Sequence, residues 1–324
     1  MPETIRTIAL PAYGSLDRFA PMAMPLPEPG NGEVRVRVQA SALNPADYKV
    51  ALGTVKFLHA RNFPMVLGYD FSGVVDAVGA DCAGFKPGDS VFGFLPYSPS
   101  NRRGAFAEAL LARADGIALK PSGVPHAQAA AAATPGLTAL QALRDVGRLP
   151  AAGGRVLVTG VSGGVGQMGV AIAQRLGATV EAVGSGRGLD IARSLGAARI
   201  VDRKAGRPSE VAQGPFDVVF DAAAAYRWRQ WKGSIRDGGA YVCTLPSLAF
   251  VVDKLASVAA ASRVGFVNVK SRPDDLQRLG AWLAGGLTVP VDSTIPVRDI
   301  GRGLAGFMQG GTVGRIVVDV AGGF

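Results

Sequence analysis

The chain has 324 residues, 48% hydrophobic and 18% charged, with a formal net charge of +9 and a pI of about 9.9. This excludes a disordered chain and allows two domains around large buried cores. Met1 to Gly14 show no signal-peptide core and no stretch of about eighteen uncharged apolar residues occurs. The two cysteines, Cys82 and Cys243, form no disulfide framework, so reduced thiols in a cytoplasmic protein are expected.

The first third reads as β-rich. Glu33 to Gln39 alternates apolar and polar residues, a strand with one wet face. Asn44-Pro45-Ala46-Asp47-Tyr48, within Ala42 to Ala51, reads as a turn entering a short helix. Pro64 to Val78 is a further strand region, Lys86-Pro87-Gly88-Asp89 a tight turn into Ser90 to Gly93, and Gly104 to Leu111 extended again. Frequent Gly and Pro between strands point to a small barrel-like domain. From His126 to Gly147 the chain is alanine-rich and helical, with an interruption expected at Thr134-Pro135-Gly136.

At Val156 to Thr159 an apolar strand runs into Gly160, Gly163, Gly164 and Gly166, and a helix is expected over Met168 to Ala178. Strand, glycine turn and helix open a dinucleotide-binding βαβ unit, in a spacing variant of the usual pattern. A pyrophosphate needs close approach to bare N–H groups, and the helix N-terminus adds its positive end. Gly160-Val161-Ser162-Gly163-Gly164 also fits the nucleophile elbow of α/β-hydrolases. That fold needs a histidine after the serine, and the only histidines, His59 and His126, precede it.

Strand and helix segments then alternate: Thr179 to Gly184, Leu189 to Leu195, Arg199 to Val201, Phe216 to Asp221, Ala240 to Thr244 and Gly265 to Val269. The fold class is therefore α/β, a doubly wound parallel sheet beside the β-rich domain. Pro273 to Ala284 reads as a helix, and Leu287 to Val320 mixes strand and helix. Glu181 lies near the start of its strand and should point away from the ligand edge. Ser185 and Arg187 at the strand's end suit a 2′-phosphate, which favours NADPH over NADH. Tyr226 to Lys232 interleaves aromatic and basic residues, as nucleic-acid binders do. Trp228 and Trp231 are three apart, so one helical face can pack both rings inward.

Several landmarks together resemble the medium-chain dehydrogenase/reductase superfamily, in its zinc-free quinone oxidoreductase (zeta-crystallin-like) branch. They are Leu43 to Asp47, Gly68 to Gly73, Lys86 to Asp89, Gly104 to Glu108, Ala133 to Ala139, the glycine loop, and Phe216 to Asp221. The resemblance implies a GroES-like catalytic domain built from residues 1–122 and 269–324, around a Rossmann domain at 123–268. It implies NADPH as cofactor and a homodimer through the edge strand Gly265 to Val269. Asn44 and Thr134 are then expected beside the nicotinamide ribose, and Ser162, Gly163, Gly164 and Val165 around the pyrophosphate. Ser185 and Arg187 match 2′-phosphate contacts, and Leu245 flanks the nicotinamide. Two departures stand out: Asp202 where many relatives have tyrosine, and Ala222 to Ala225 in place of Val-Gly-Gly.

Zinc-dependent relatives carry Cys at the position of Asn44 and His at that of Tyr69. The remaining candidates, Cys82, Cys243, His59 and His126, are dispersed, so no metal site is expected. Without a Lewis acid, hydride is best passed to an acceptor that delocalises charge itself, a quinone or conjugated enone. Tyr48 and Tyr69 are the candidate hydrogen-bond donors to the developing oxyanion. Two alternatives stay open: a 2-enoyl thioester or alkenal double-bond reductase, and a dinucleotide-sensing or RNA-binding protein with little turnover.

Overall fold

The computed structural model describes residues 3–55, 63–97 and 103–324. The chain divides into two units, Met1–Thr134 with Ser271–Phe324, and Pro135–Lys270.

The first unit begins with β1 (Thr4–Leu10), β2 (Ala20–Pro25), β3 (Glu33–Ala42), α1 (Pro45–Ala51) and β4 (Met65–Val66). It continues through β5 (Asp70–Val78), β6 (Ser90–Phe94), β7 (Ala109–Arg113), β8 (Ile117–Leu119) and the first half of α2 (His126–Gln141), within which the unit boundary falls. The expected interruption of α2 does not occur: the helix runs through Pro135. Pro135 removes one N–H, and the Thr134 N–H before it is given to the Asp70 side chain, at 2.8 Å. Burial of Ala129 to Ala133, Leu137 and Leu140 holds the helix together across the proline.

The second unit is a βα alternation. It comprises β9 (Arg155–Thr159), α3 (Gly164–Arg175), β10 (Thr179–Gly184), α4 (Arg187–Ser194) and β11 (Arg199–Asp202). It goes on through α5 (Pro208–Val211), β12 (Phe216–Asp221), α6 (Trp228–Trp231), β13 (Ile235–Cys243), α7 (Leu248–Ala256) and β14 (Arg263–Phe266). The sheet order is β11-β10-β9-β12-β13-β14, with every pairing parallel. That is the doubly wound arrangement in which the strand order reverses beside β9, where such sheets take ligands. The helix after the glycines starts at Gly164, not Met168, because Gly163 has the extended backbone of an N-cap. Its strands are near-continuous apolar runs, as a sheet covered on both faces requires: Val156, Leu157, Val158, Val218, Val219 and Phe220 are all fully buried.

The chain then returns to the first unit with α8 (Pro273–Ala284), β15 (Val291–Pro296), α9 (Ile300–Gln309) and β16 (Arg315–Asp319). Among the described residues, β15-β16-β3-β5-β6-β8 form one sheet, with β7 also on β3, and β2-β1-β4 a second. Except for β15 with β16, these pairs are antiparallel. The fold is therefore a Rossmann-type parallel sheet plus a separate β-rich unit.

Candidate functional site

In the second unit, the glycine turn closes on itself. Gly163 N–H donates to Gly160 C=O at 3.0 Å. A Cβ at Gly166 would stand 2.3 Å from the Gly160 carbonyl oxygen, so only glycine lets α3 start this close to β9. At Gly163 the nearest atom to an added Cβ is that same oxygen, at 3.6 Å, an ordinary contact. Nothing in the protein itself forbids a side chain at Gly163. An open backbone at the head of a twelve-residue helix is a cradle that a phosphate can fill. Ser162, Gly164 and Val165 frame it. Gly188 brings the start of α4 against it, since a Cβ there would lie 2.4 Å from Ser162 Oγ.

The end of β10 supplies the charge. Ser185 Oγ accepts from Arg203 Nε at 3.2 Å, and exposed Arg187 opens α4. Glu181, the acidic residue of this strand, is buried and committed elsewhere. It accepts from Arg199 Nη1 at 2.6 Å and from the Gln213 N–H. The carboxylate of this strand is thus turned away from the strand end, where the Arg187 and Arg203 side chains stand. Arg203 lies outside the sequence-based set. Its signal was only a basic pair, Arg203-Lys204, after β11.

In the first unit a buried polar cluster forms around Asp70. Thr134 gives it both its N–H and its hydroxyl, and Asn44 Nδ2 donates at 3.0 Å. Arg315 Nη2 pairs with the same carboxylate, and Arg315 Nη1 donates to Asn44 Oδ1 at 3.1 Å. Strand register explains the meeting of residues so far apart in sequence: Asp70 pairs with Ala42, and Ala42 with Val317, two residues beyond Arg315. Asn44 and Thr134 are therefore oriented as one unit. Burial pushes the Asp70 carboxyl up, opposed by Arg315 and these hydrogen bonds. Asp47 is also fully buried, accepts from the N–H of Asn44 at 2.7 Å and of Gly68 at 3.1 Å, and is pushed up to about 7 by burial. Sequence reasoning passed over Asp70, Asp47 and Arg315 as functional side chains. The available signal was a charge inside the apolar run Met65 to Val75 and another in the first turn of α1.

The two expected donors are placed differently. Tyr48 lies edge-on to Phe307, with ring centroids 6.3 Å apart. Tyr69 is buried, packed on Tyr97, and its burial holds the phenol protonated. Leu245, just past β13, is exposed, and its carbonyl accepts from Cys243 Sγ at 3.5 Å. Both cysteines are unpaired and buried.

Among the described residues Ser162 has no histidine partner: its Oγ donates to Ser185 C=O, and the His126 ring shares a hydrogen bond with Ser72 at 2.8 Å. His59 lies outside the described residues. The Tyr226 to Lys232 segment packs inward. Trp228 and Trp231 are buried, and Arg227 and Arg229 are both paired with buried Asp253. Those two guanidinium groups are compensated, which leaves little of the nucleic-acid signature.

The family model of the alcohol dehydrogenase GroES-like domain matches residues 30–122, and that of a zinc-binding dehydrogenase matches residues 195–318. A chloroplastic quinone-oxidoreductase of Triphysaria versicolor is 29% identical over 306 residues, 91% of this chain and 92% of its own length. A trans-enoyl reductase of Aspergillus terreus is 31% identical over 329 residues, 91% of this chain and 90% of its own. The solved quinone oxidoreductase of Coxiella burnetii is 26% identical, with a TM-score of 0.89 over 98% of this chain and 100% of that one. Glycine turn, doubly wound sheet and β-rich partner unit define a nicotinamide-dependent oxidoreductase. The chain belongs to the medium-chain dehydrogenase/reductase superfamily, among its quinone oxidoreductase-like members. Among the described residues, no helix is long and apolar enough to cross a membrane.

Proposed function

We propose that the enzyme uses NADPH, without zinc, to reduce a quinone or conjugated enone. The observation that carries the cofactor reading is the diversion of Glu181 to Arg199 while Ser185, Arg187 and Arg203 stand at the end of β10. Ser162, Gly163, Gly164 and Val165 would hold the pyrophosphate, and Ser185 with the two arginines the 2′-phosphate. Asn44 and Thr134 would hold the nicotinamide ribose, with Leu245 against the ring. The cofactor, when bound, supplies hydride. The protein's own part is orientation and water exclusion. Anchoring by Asp70 fixes the rotamers of Asn44 and Thr134, so little entropy is lost when the ribose binds.

Zinc independence is supported by the side chains at the two ligand positions. Asn44 offers a neutral amide held by Asp70 and Arg315 in place of a thiolate, and Tyr69 a buried neutral phenol in place of an imidazole. An acceptor that spreads its own negative charge is what such a site can reduce, with the oxygen finally protonated from water. Tyr48 remains the candidate hydrogen-bond donor to that oxygen, and Tyr48→Phe should then lower turnover about tenfold or more. Likeness to a trans-enoyl reductase keeps 2-enoyl thioester or alkenal reduction as the second reading, since the hydride step is the same.

A homodimer is part of the proposal. β14 is the sheet edge, and beside it Leu248, Val251, Val252 and Leu255 of α7 are exposed at helical spacing. So is a cytoplasmic location, supported by two unpaired thiols. Steady-state rates with quinones, alkenals and enoyl thioesters, each with NADPH and NADH, test the reading. Quinone or enone turnover with NADPH that survives a chelator is expected. No turnover on any acceptor, or activity lost to chelator and restored by zinc, would overturn it.

A further inference from the structure

We infer that Tyr97 is an aromatic wall of the acceptor site and selects flat, conjugated acceptors over straight-chain ones. The inference rests on the reading that Thr134 lies beside the nicotinamide ribose. Three contacts fix the ring. Its centroid lies 4.4 Å from that of Tyr69, tilted by 59°, and 5.9 Å from that of Phe94, tilted by 47°. At the far end its hydroxyl hydrogen-bonds the Thr134 side chain. Thr134 already donates its own hydroxyl proton to Asp70, so the phenol donates and Thr134 accepts. Burial of that hydroxyl end, near the Asp70 and Asp47 carboxyls, keeps the phenol protonated.

The exposure pattern sets Tyr97 apart. Its two aromatic supports are 3% and 2% exposed, whereas Tyr97 itself is 38% exposed. One end is therefore tied into the polar cluster that orients Thr134, while the residue, unlike its two supports, keeps an exposed surface. A ring held this way has little rotamer freedom to lose when a ligand stacks on it. Stacking rewards a π-face of matching area, which a quinone has and a short alkenal lacks. Tyr97 thus acts on acceptor choice, not on the hydride step. It also separates the roles of the tyrosines: Tyr69 is its buried support.

The test compares Tyr97→Leu, Tyr97→Phe and Tyr97→Trp with the parent. 1,4-Naphthoquinone and trans-2-hexenal serve as acceptors, and calorimetry of 1,4-naphthoquinone on the NADP+-loaded enzyme is a readout free of turnover. Tyr97→Leu should raise the naphthoquinone KM and Kd about tenfold, leaving hexenal KM and NADPH Kd within about twofold. Tyr97→Phe and Tyr97→Trp keep a flat ring and should stay within about threefold of the parent on naphthoquinone. An unchanged naphthoquinone Kd in Tyr97→Leu overturns the inference, as does an equal loss on both acceptors. Failure of the underlying reading shows separately: Thr134→Ala would then leave NADPH affinity and turnover at parental values.

Discussion

Gly163 and Gly166 sit three residues apart in the same turn, yet alanine should act on them in opposite ways. At Gly166 the new methyl would lie 2.3 Å from the Gly160 oxygen and 2.6 Å from its carbonyl carbon. Both are backbone atoms of the turn itself, which cannot step aside. Overpacking of this kind costs about 1–3 kcal/mol or more, so Gly166→Ala should lower stability and distort the turn together. At Gly163 the backbone is extended, with φ −95° and ψ 157°, and the methyl meets nothing closer than 3.6 Å. Alanine loses up to about 1 kcal/mol as an N-cap and recovers about 0.4–1 kcal/mol by restricting the unfolded chain. Gly163→Ala should therefore fold as well as the parent. A pyrophosphate oxygen held by the N–H groups at the start of α3, against that bare Cα, would be pushed off, at a cost of about 1.5–3 kcal/mol for a charge-assisted hydrogen bond. That is about 10- to 150-fold in Kd. Urea unfolding gives the stability and NADPH fluorescence titration the affinity. If Gly163→Ala unfolds like the parent and binds NADPH equally well, the phosphate does not sit on this turn and the assignment of the cradle fails.

Arg203→Ala and Arg187→Ala should each raise the NADPH Kd by about tenfold while moving the NADH Kd less than about twofold. Equal losses with both nucleotides would remove the 2′-phosphate from the end of β10. Asp70→Asn leaves the buried Arg315 guanidinium without its carboxylate and should cost about 3–5 kcal/mol in urea unfolding. Adding Arg315→Met should recover part of that loss, whereas strict additivity would show that the two groups do not stabilise one another. Stability should also depend on the Asp47 proton. Asp47 titrates near 7 when folded and near 3.8 as a free side chain. Between those values the folded chain holds the extra proton, so stability falls as pH rises from about 4 to about 7. Asp70, raised in the same sense, adds to this slope. Asp47→Asn should flatten the profile of urea midpoint against pH, and an unchanged slope would show that Asp47 is already ionised across the range.

Much of this protein is written locally. A strand, four closely spaced glycines and an apolar helix can be read without any partner residue, because backbone geometry alone demands them. The βα alternation after Gly166 likewise follows from period and punctuation, and it defines the doubly wound sheet. Asn44 and Thr134 are singled out by the family resemblance, and Ser185 by its place at the end of a strand. What holds them could not be read this way. Asp70 and Arg315 are 245 positions apart and meet only because β5 and β16 both pair with β3 in a fixed register. Arg203 reaches Ser185 only once β11 lies beside β10. The unbroken course of α2 through Pro135 was equally hidden, since local propensity argues for a break and only tertiary burial, with Asp70 taking the Thr134 N–H, overrides it. Sequence determined most of the strands, turns and helices, because those follow from near-neighbour sterics and hydrophobic period. Tertiary structure decided which charges are buried together, because desolvation is set by strand pairing between residues the chain does not keep close.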